Sequence, residues 1–129
     1  MKGRKSLEIR TITMSLAALM LVHGAALAQS GAARGEKVFE ECRACHSVDG
    51  SPNAVGPSLK GVVGRKAATL DDFRYSPAMK RAAITWTRET LDAFIADPQK
   101  LVPANRMPYA GIVDAKSRAD VIEYLSTLK

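Results

Sequence analysis

The sequence is poor in aromatic residues and in the side chains that usually bind metal ions. Its 129 residues include three Phe, three Tyr and one Trp, with only two Cys and two His. So few aromatic side chains give a small domain a modest apolar core. A structural zinc site needs about four Cys or His ligands, and only three remain once His23 in the N-terminal segment is set aside.

Other common signals are missing as well. The chain has no internal repeat, no low-complexity tract and no convincing alternation of apolar and polar residues, which predicts one helical domain without a sheet. It also has no long basic run and no basic patch interleaved with aromatics, although its formal net charge is +6. We therefore expect no binding to nucleic acid.

The N-terminus, by contrast, carries a clear export signal. A segment with four Lys or Arg residues precedes an apolar run over 12–22, which is followed by the small-residue cleavage site Ala26-Leu27-Ala28. We predict that residues 1–28 are a cleaved secretory signal peptide and that a single domain spans residues 29–129. The alternative is an uncleaved anchor, but the apolar run is shorter than the roughly 20 residues that a spanning helix needs.

Removal of that leader changes the electrostatic picture. It takes away four basic residues and Glu8, which lowers the formal net charge from +6 to +3. A modestly basic surface suits docking to acidic patches on partner proteins. We predict a monomer in the periplasm of a bacterium, with no stable membrane insertion after cleavage.

The most informative stretch is Cys42-Arg43-Ala44-Cys45-His46, which contains both cysteines and the only histidine outside the leader. This is the spacing at which a c-type haem is attached. Two thiols at i and i+3 fall on one side of a helical turn, so both can add to vinyl groups on one edge of a haem. His46 follows at once and can turn a ring nitrogen towards the iron. A haem would also supply the apolar bulk that the aromatic-poor chain lacks.

Three other uses of Cys42 and Cys45 are weaker. A thioredoxin-like redox pair would need a strand before the motif and a βαβ pattern around it, and neither is visible. A zinc site would have only three ligands, all within five residues. A disulfide between the two cysteines would close a very small loop and add little stability.

The apolar pattern predicts an all-α domain with long ordered loops. The first helix is expected over about 32–44, and a weaker pattern suggests a short helix at 77–83. Thr87 predicts the start of a further helix that ends at Asp97-Pro98, and Asp114 predicts the cap of the last helix. The connections are rich in Gly and Pro, which is typical of loops.

His46 leaves the opposite side of the iron without a ligand. Outside the leader the chain has no second histidine and only two methionines, Met79 and Met107. Met107 lies in the non-helical segment 103–108, which can bring a side chain to the face opposite His46, whereas Met79 lies in the weaker helix and suits packing. We expect Met107 to be the second axial ligand; the alternative for either methionine is a core position. A thioether ligand stabilises reduced iron and so raises the reduction potential.

These motifs resemble the class I c-type cytochromes, the family of mitochondrial cytochrome c and its soluble bacterial relatives. The resemblance covers nearly all of 35–128, and the order and spacing of its markers are far more specific than the Cys-His motif alone. Besides that motif, the markers are Gly35–Phe39, Gly56–Leu59, Gly61–Lys66, Ile84–Trp86 and Met107–Ile112. The resemblance implies the small single-domain cytochrome c fold, with helices and long loops around one covalently bound haem c.

The resemblance also implies roles for residues around the haem. The Pro57 carbonyl would accept a hydrogen bond from the non-ligating nitrogen of His46, which fixes the ring and raises its basicity. Buried propionates need donors, and Tyr75, Trp86 and, less directly, Arg65 match the family positions that supply them. The alternatives are a plain core aromatic for Trp86 and a surface charge for Arg65.

Four residues near the haem differ from the mitochondrial pattern. Phe94 stands where the family often has a tyrosine whose hydroxyl contacts the methionine sulfur. Asn105 replaces a usual threonine just before the ligand, and Met79 replaces a usual asparagine. Tyr109 stands where a phenylalanine is common.

The ring of lysines around the haem edge of the family is thinned in this chain. Lys37, Lys100 and Arg106 match basic positions, so the resemblance implies that they contact acidic patches on redox partners. Glu41 and Gln99 stand where lysines are frequent. The alternative for any of these residues is ordinary solvated surface.

The leading functional hypothesis is a soluble periplasmic one-electron carrier rather than an enzyme. It would shuttle electrons between a quinol-oxidising cytochrome complex or a dehydrogenase and a terminal oxidase or similar acceptor. A haem peroxidase or gas sensor would need a vacant sixth position and a polar distal group, and the chain offers no distal histidine. A third hypothesis is a haem subunit that stays within a membrane complex or on an anchor.

Overall fold

The computed structural model describes residues 29–129, so the predicted signal peptide lies outside the described residues. This part contains the helices α1 (Gly31–Arg43), α2 (Pro77–Arg81), α3 (Arg88–Ala96), α4 (Pro98–Leu101) and α5 (Ala115–Leu125). Long loops connect them, and the only pairing of extended chain found in this part is an antiparallel bridge between Lys66 and Thr85. The prediction of an all-α domain with long loops is confirmed.

Side-chain caps begin α3 and α5 at the residues that the sequence predicted. The Thr87 hydroxyl accepts a hydrogen bond from the Thr90 backbone N at 3.2 Å, and the Thr90 hydroxyl accepts one from the Thr87 backbone N at 2.8 Å. This reciprocal pair satisfies two of the donors that a helix start leaves without partners. The Asp114 carboxylate likewise accepts from the backbone N of the third residue of α5 at 2.7 Å.

The single-turn helix α4 was not predicted. Asp97 ends α3 and at the same time caps α4, because its carboxylate accepts a hydrogen bond from the Lys100 backbone N at 3.1 Å. Pro98 occupies the first position of α4, where a missing N–H costs nothing, and its ring is almost completely buried. Helix α3 therefore ends just before the proline, and α4 begins with it.

Helices α1 and α5 cross at a point where only glycine fits. A Cβ atom added to Gly35 would lie 1.9 Å from the Asp120 carbonyl oxygen, so any side chain there would force the helices apart. One turn later the fully buried Phe39 packs against Tyr124, with ring centroids 5.2 Å apart. The crossing holds in place the helix that carries Cys42.

A charged cluster strengthens the same crossing. The Arg34 guanidinium donates two hydrogen bonds of 2.8 Å to the Asp120 carboxylate, and Lys116 donates a third of 3.0 Å. The Arg34 hydrogen bond, followed by that of Lys116, lowers the pKa of Asp120 to about 2. The sequence did not predict this cluster, since Arg34 lies 86 positions from Asp120 in the chain.

The core of the described residues is small. Its buried apolar side chains are Phe39, Val62, Trp86, Leu91, Phe94, Val102, Val121, Ile122 and Leu125. Cys42, Met79 and Met107 belong to a set of partly buried side chains that pack against this core. Within residues 29–129, none of the helices combines the length and the apolar character needed to cross a bilayer.

Candidate haem-binding site

The Cys-His motif forms a tight turn at the end of α1. The backbone N–H groups of Cys45 and His46 both donate to the Cys42 carbonyl oxygen, each at 3.0 Å. Both thiols are free and partly buried. The turn thus keeps two free thiols and one imidazole within five consecutive residues. This is the arrangement that two thioether bonds and one axial ligand require.

The properties of Cys42 do not suit thiol exchange. Burial, assisted by the charges of Glu41 and Cys45, raises the pKa of the Cys42 thiol to about 11. Exchange cysteines depend instead on a lowered pKa that supplies thiolate near neutral pH. The disulfide considered for this pair is also not formed. Of the uses weighed for these cysteines, attachment to a haem fits the site best.

The orientation of His46 follows from its contact with Pro57. Nδ1 of His46 lies 2.7 Å from the Pro57 carbonyl oxygen, and since a carbonyl only accepts, Nδ1 carries the proton. Nε2 then keeps its lone pair for a metal. Burial lowers the pKa of His46 while the Pro57 hydrogen bond opposes the shift, which favours the neutral ring that ligates iron.

Gly56 allows the loop to lie directly on this ring. A Cβ atom there would lie 2.7 Å from His46 Cε1 and 2.8 Å from the Cys45 carbonyl oxygen. Both distances are shorter than any side chain tolerates. The small residue therefore lets the Pro57 carbonyl reach Nδ1.

The segment that carries Met107 is held by the buried side chain of Asn105. Its Nδ2 donates to the carbonyl oxygens of Pro98 at 2.8 Å and Val102 at 2.9 Å, and its Oδ1 accepts from the Met107 backbone N at 2.8 Å. Gln99 also donates to the Asn105 carbonyl, at 3.2 Å. Both donors of the Asn105 side-chain amide and one acceptor position of its oxygen thus fix Met107 relative to α4.

The other end of the same loop is attached to α3. Gly111 has φ +106°, and a Cβ atom there would lie 2.2 Å from the Ala96 carbonyl oxygen, so only glycine fits. The next residue, Ile112, donates its backbone N–H to the Ile95 carbonyl at 2.9 Å. Arg118 then donates to the Ile112 carbonyl at 3.0 Å. Met107 therefore lies between two fixed points.

The three predicted propionate partners lie in one region. The Trp86 backbone N donates to the Arg65 carbonyl at 2.9 Å, which places the two residues side by side. Burial raises the pKa of the Tyr75 hydroxyl, and the nearby Arg65 charge opposes that shift. The Arg65 guanidinium itself donates to the carbonyl oxygens of Ser58 at 2.7 Å and Lys60 at 2.8 Å, so it also braces its own loop.

Trp86 packs on Phe94 while keeping its polar group available. The ring centroids lie 5.0 Å apart, and both side chains are buried. Among the described residues no buried side-chain nitrogen or oxygen lacks a partner. The indole N–H makes no hydrogen bond to a described residue, so it is not completely buried. Phe94 itself has no hydroxyl, so it cannot donate a hydrogen bond to a methionine sulfur.

The three predicted partner-binding cations are all exposed. Lys37 lies on α1, Lys100 on α4 and Arg106 next to Met107. None of them belongs to an ion pair among the described residues. One further contact was not foreseen: the Tyr109 hydroxyl donates to the Glu41 carboxylate at 3.1 Å, which connects the Met107 loop to α1.

These residues fit a covalently attached haem. The chain supplies two free thiols, an imidazole with an available nitrogen and a thioether on a braced loop. Around them, apolar side chains pack against the core yet stay partly exposed, as expected where a bulky apolar group completes the interior. These side chains include Leu59, Val63, Met79, Ile84, Ile95 and Leu101.

Comparisons with known proteins point to the same chemistry. The sequence profile of the family Cytochrome c matches residues 32–129. The chain is 46% identical over 91 residues to cytochrome c2 iso-2 of Magnetospirillum molischianum, a match that covers 70% of this chain and 94% of that protein. It is 48% identical over 93 residues to cytochrome c-type cyt cy of Rhodobacter capsulatus, which covers 72% of this chain but only 46% of the relative.

A solved structure is similar as well. Cytochrome cH from Methylobacterium extorquens superposes with a TM-score of 0.71 at 46% sequence identity. The match covers 74% of this chain and 97% of that one. The likeness therefore extends over nearly the whole of the solved protein.

We predict that Asn105→Ala lowers the free energy of unfolding by about 1–3 kcal/mol, because the Met107 backbone N–H loses its acceptor and two carbonyls lose a donor. Denaturant unfolding of the haem-loaded protein measures the effect. The control is Asn53→Ala, which removes a single local hydrogen bond to the Val55 backbone N in an exposed loop. An equal loss in both variants would contradict a special role for Asn105.

Proposed function

The chain belongs to the class I c-type cytochromes, and from that premise we propose that it is a soluble periplasmic one-electron carrier with His46 and Met107 as axial iron ligands. Cytochrome c family members are electron-transfer proteins rather than enzymes, and they carry one covalently bound haem c. This chain is accordingly an electron-transfer protein with a c-type haem. Cys42 and Cys45 are the proposed attachment points.

The observation that carries this proposal is that both proposed ligands are positioned by the polypeptide. His46 is oriented by the Pro57 carbonyl at 2.7 Å, and the Met107 backbone is held by Asn105 at 2.8 Å. When bound, the haem supplies the iron that gains and loses one electron. Because neither side chain has to move, the protein reorganises little between the two oxidation states, which favours fast transfer. Tyr75, Trp86 and Arg65 are proposed to orient or neutralise the propionates.

Met107→Ala is expected to lower the reduction potential and to open the iron to carbon monoxide, because the thioether stabilises reduced iron and occupies the site. Redox titration and absorption spectra of the ferric and ferrous protein, with and without carbon monoxide, provide the measurement. Met79→Ala is the matched control, since Met79 is the only other methionine in 29–129 and is also partly buried against the core. If Met79→Ala, and not Met107→Ala, lowered the potential and opened the iron to carbon monoxide, the ligand would be Met79.

The proposed location depends on the N-terminal segment. We propose that cleavage after Ala28 releases a mature protein that begins at Gln29 and acts in the periplasm. N-terminal sequencing of the protein purified from the source bacterium is expected to start at Gln29. A protein that retains Met1 and stays with the membrane fraction would support the anchored alternative.

The proposed partners are redox proteins that present acidic patches. The donor would be a quinol-oxidising cytochrome complex or a dehydrogenase, and the acceptor a terminal oxidase or a similar protein. The exposed, unpaired charges of Lys37, Lys100 and Arg106 support this assignment, because they belong to α1, to α4 and to the loop between α4 and α5, which all adjoin the proposed haem ligands. Such charges mainly raise the association rate.

Reversal of one of these charges should slow electron transfer to an anionic oxidant. We expect Lys100→Glu and Arg106→Glu to lower the second-order rate with ferricyanide roughly two- to fivefold at low ionic strength, and the difference to vanish at high salt. Stopped-flow absorbance measures the rate. Lys129→Glu changes the net charge equally at the C-terminus, so a similar loss in that variant would mean that overall charge, not this surface, controls approach.

A further inference from the structure

One hydrogen bond joins the two segments that carry the proposed haem contacts. The Tyr109 hydroxyl donates to Glu41 Oε2 at 3.1 Å, and the two residues are 68 positions apart in the chain. Glu41 directly precedes Cys42, and Tyr109 follows Met107 by two residues. The contact therefore connects the attachment side of the site with the side that carries the thioether.

This hydrogen bond belongs to the middle of the loop, between the two points at which the loop is fixed to α4 and α3. Asn105 fixes the loop to α4 before Met107, and Gly111 and Ile112 fix it to α3 after Met107. Within 106–110, the Tyr109 hydroxyl makes the only side-chain hydrogen bond to another element in the described part of the chain. Among residues 106–110, this contact is therefore the one side-chain hydrogen bond that connects the loop to α1.

The hydrogen bond needs both a hydroxyl donor at position 109 and an acceptor at position 41. Phenylalanine is common at the position of Tyr109, and lysine is frequent at the position of Glu41. A phenylalanine has no hydroxyl and a lysine has no acceptor, so neither could form this bond. A phenol that donates to a carboxylate makes a charge-assisted hydrogen bond; here the bond is long, at 3.1 Å, and its acceptor is exposed, so it stabilises less than a short buried one.

We propose that the Glu41–Tyr109 hydrogen bond holds the Met107 loop closed against α1 and so limits the access of external ligands to the iron. The proposal rests on Met107 being the axial ligand. Tyr109 and Glu41 are positioning residues, because they act on the iron only through the loop. When the bond is broken, the open form of the loop becomes more populated, and an external ligand that binds only that form gains apparent affinity in proportion.

Imidazole binding to the ferric holoprotein, followed by absorbance, tests the idea. Tyr109→Phe and Glu41→Ala are each expected to raise imidazole affinity roughly three- to tenfold, the size expected from the loss of one exposed hydrogen bond. Glu41→Gln retains an acceptor oxygen and is expected to recover a large part of the closure. If the negative charge alone mattered, Gln and Ala at this position would behave alike, and the proposal would be overturned.

Glu40→Ala is the matched control for the helix. Glu40 is the neighbouring exposed carboxylate of α1, but it pairs with Arg43 at 3.2 Å and not with the loop. The proposal expects wild-type imidazole affinity in this variant, and an increase equal to that of Glu41→Ala would contradict it. In the double variant Tyr109→Phe/Glu41→Ala the affinity should equal that of either single variant, whereas additive increases would show that the two residues act separately.

Two further measurements separate this proposal from the assignment of the ligand. Met107→Ala should bind imidazole far more tightly than the wild type; equal affinities would mean that the Met107 assignment has failed. Amide hydrogen exchange does not depend on that assignment. Exchange within 106–110 should accelerate in Tyr109→Phe while exchange in α5 stays unchanged. Unchanged exchange and unchanged imidazole affinity in Tyr109→Phe would overturn the closing role alone.

Discussion

The close crossing of α1 and α5 at Gly35 is the contact on which the rest of the site depends. The Cβ that glycine lacks would meet the Asp120 carbonyl at 1.9 Å, so the approach of the two backbones is possible at this residue and would be lost with any other. The Arg34–Asp120 hydrogen bonds and the Phe39–Tyr124 packing then stabilise the crossing from both sides. Because α1 ends directly in the Cys-His motif, the position of the thiols is set by a contact two turns away from them.

Beyond α1, backbone hydrogen bonds and small residues position the site more than core packing does. The core has few large side chains, and two of the aromatic ones, Trp86 and Phe94, pack against each other. The loops are therefore held by polar contacts to carbonyls: Pro57 at His46, and Asn105 next to Met107. Such contacts specify geometry well, because a hydrogen bond has a narrow range of distance and angle. They suit a site whose ligands must stay in place through many oxidation cycles.

The sequence predicted the features that depend on neighbouring residues. The caps at Thr87 and Asp114 and the thiol spacing at Cys42 are local signals, since each is decided by residues three or four positions apart. The short helix α4 was missed because Asp97-Pro98 signals an end as readily as a start. The Asn105 hydrogen bonds were also missed, although the residue had been singled out as unusual, because its partners are defined only once α4 exists.

Long-range pairs between charged and polar side chains were beyond the sequence altogether. Arg34 meets Asp120 across 86 positions, and Glu41 meets Tyr109 across 68. A charged residue on a helix surface has many possible partners, and without the fold nothing selects among them. Departures from the family pattern proved informative only as pairs: Glu41 and Tyr109 are each unremarkable substitutions alone, yet together they create a bond that the usual residues could not make.

The same carboxylate also lies close to the surface proposed for partner docking. Glu41 lies four residues after Lys37 on α1, so the two side chains share one helix face and their charges partly cancel in the field that an approaching protein experiences. The uncompensated positive charge then belongs to Lys100 and Arg106, on the α4 side of the Met107 loop. A partner with an acidic patch would be drawn towards that side, which is also the side where Asn105 holds the loop most firmly. Arg106 and Tyr109 lie in the same loop, on either side of Met107, so a partner that contacts Arg106 would act on the loop that the Glu41–Tyr109 hydrogen bond holds against α1.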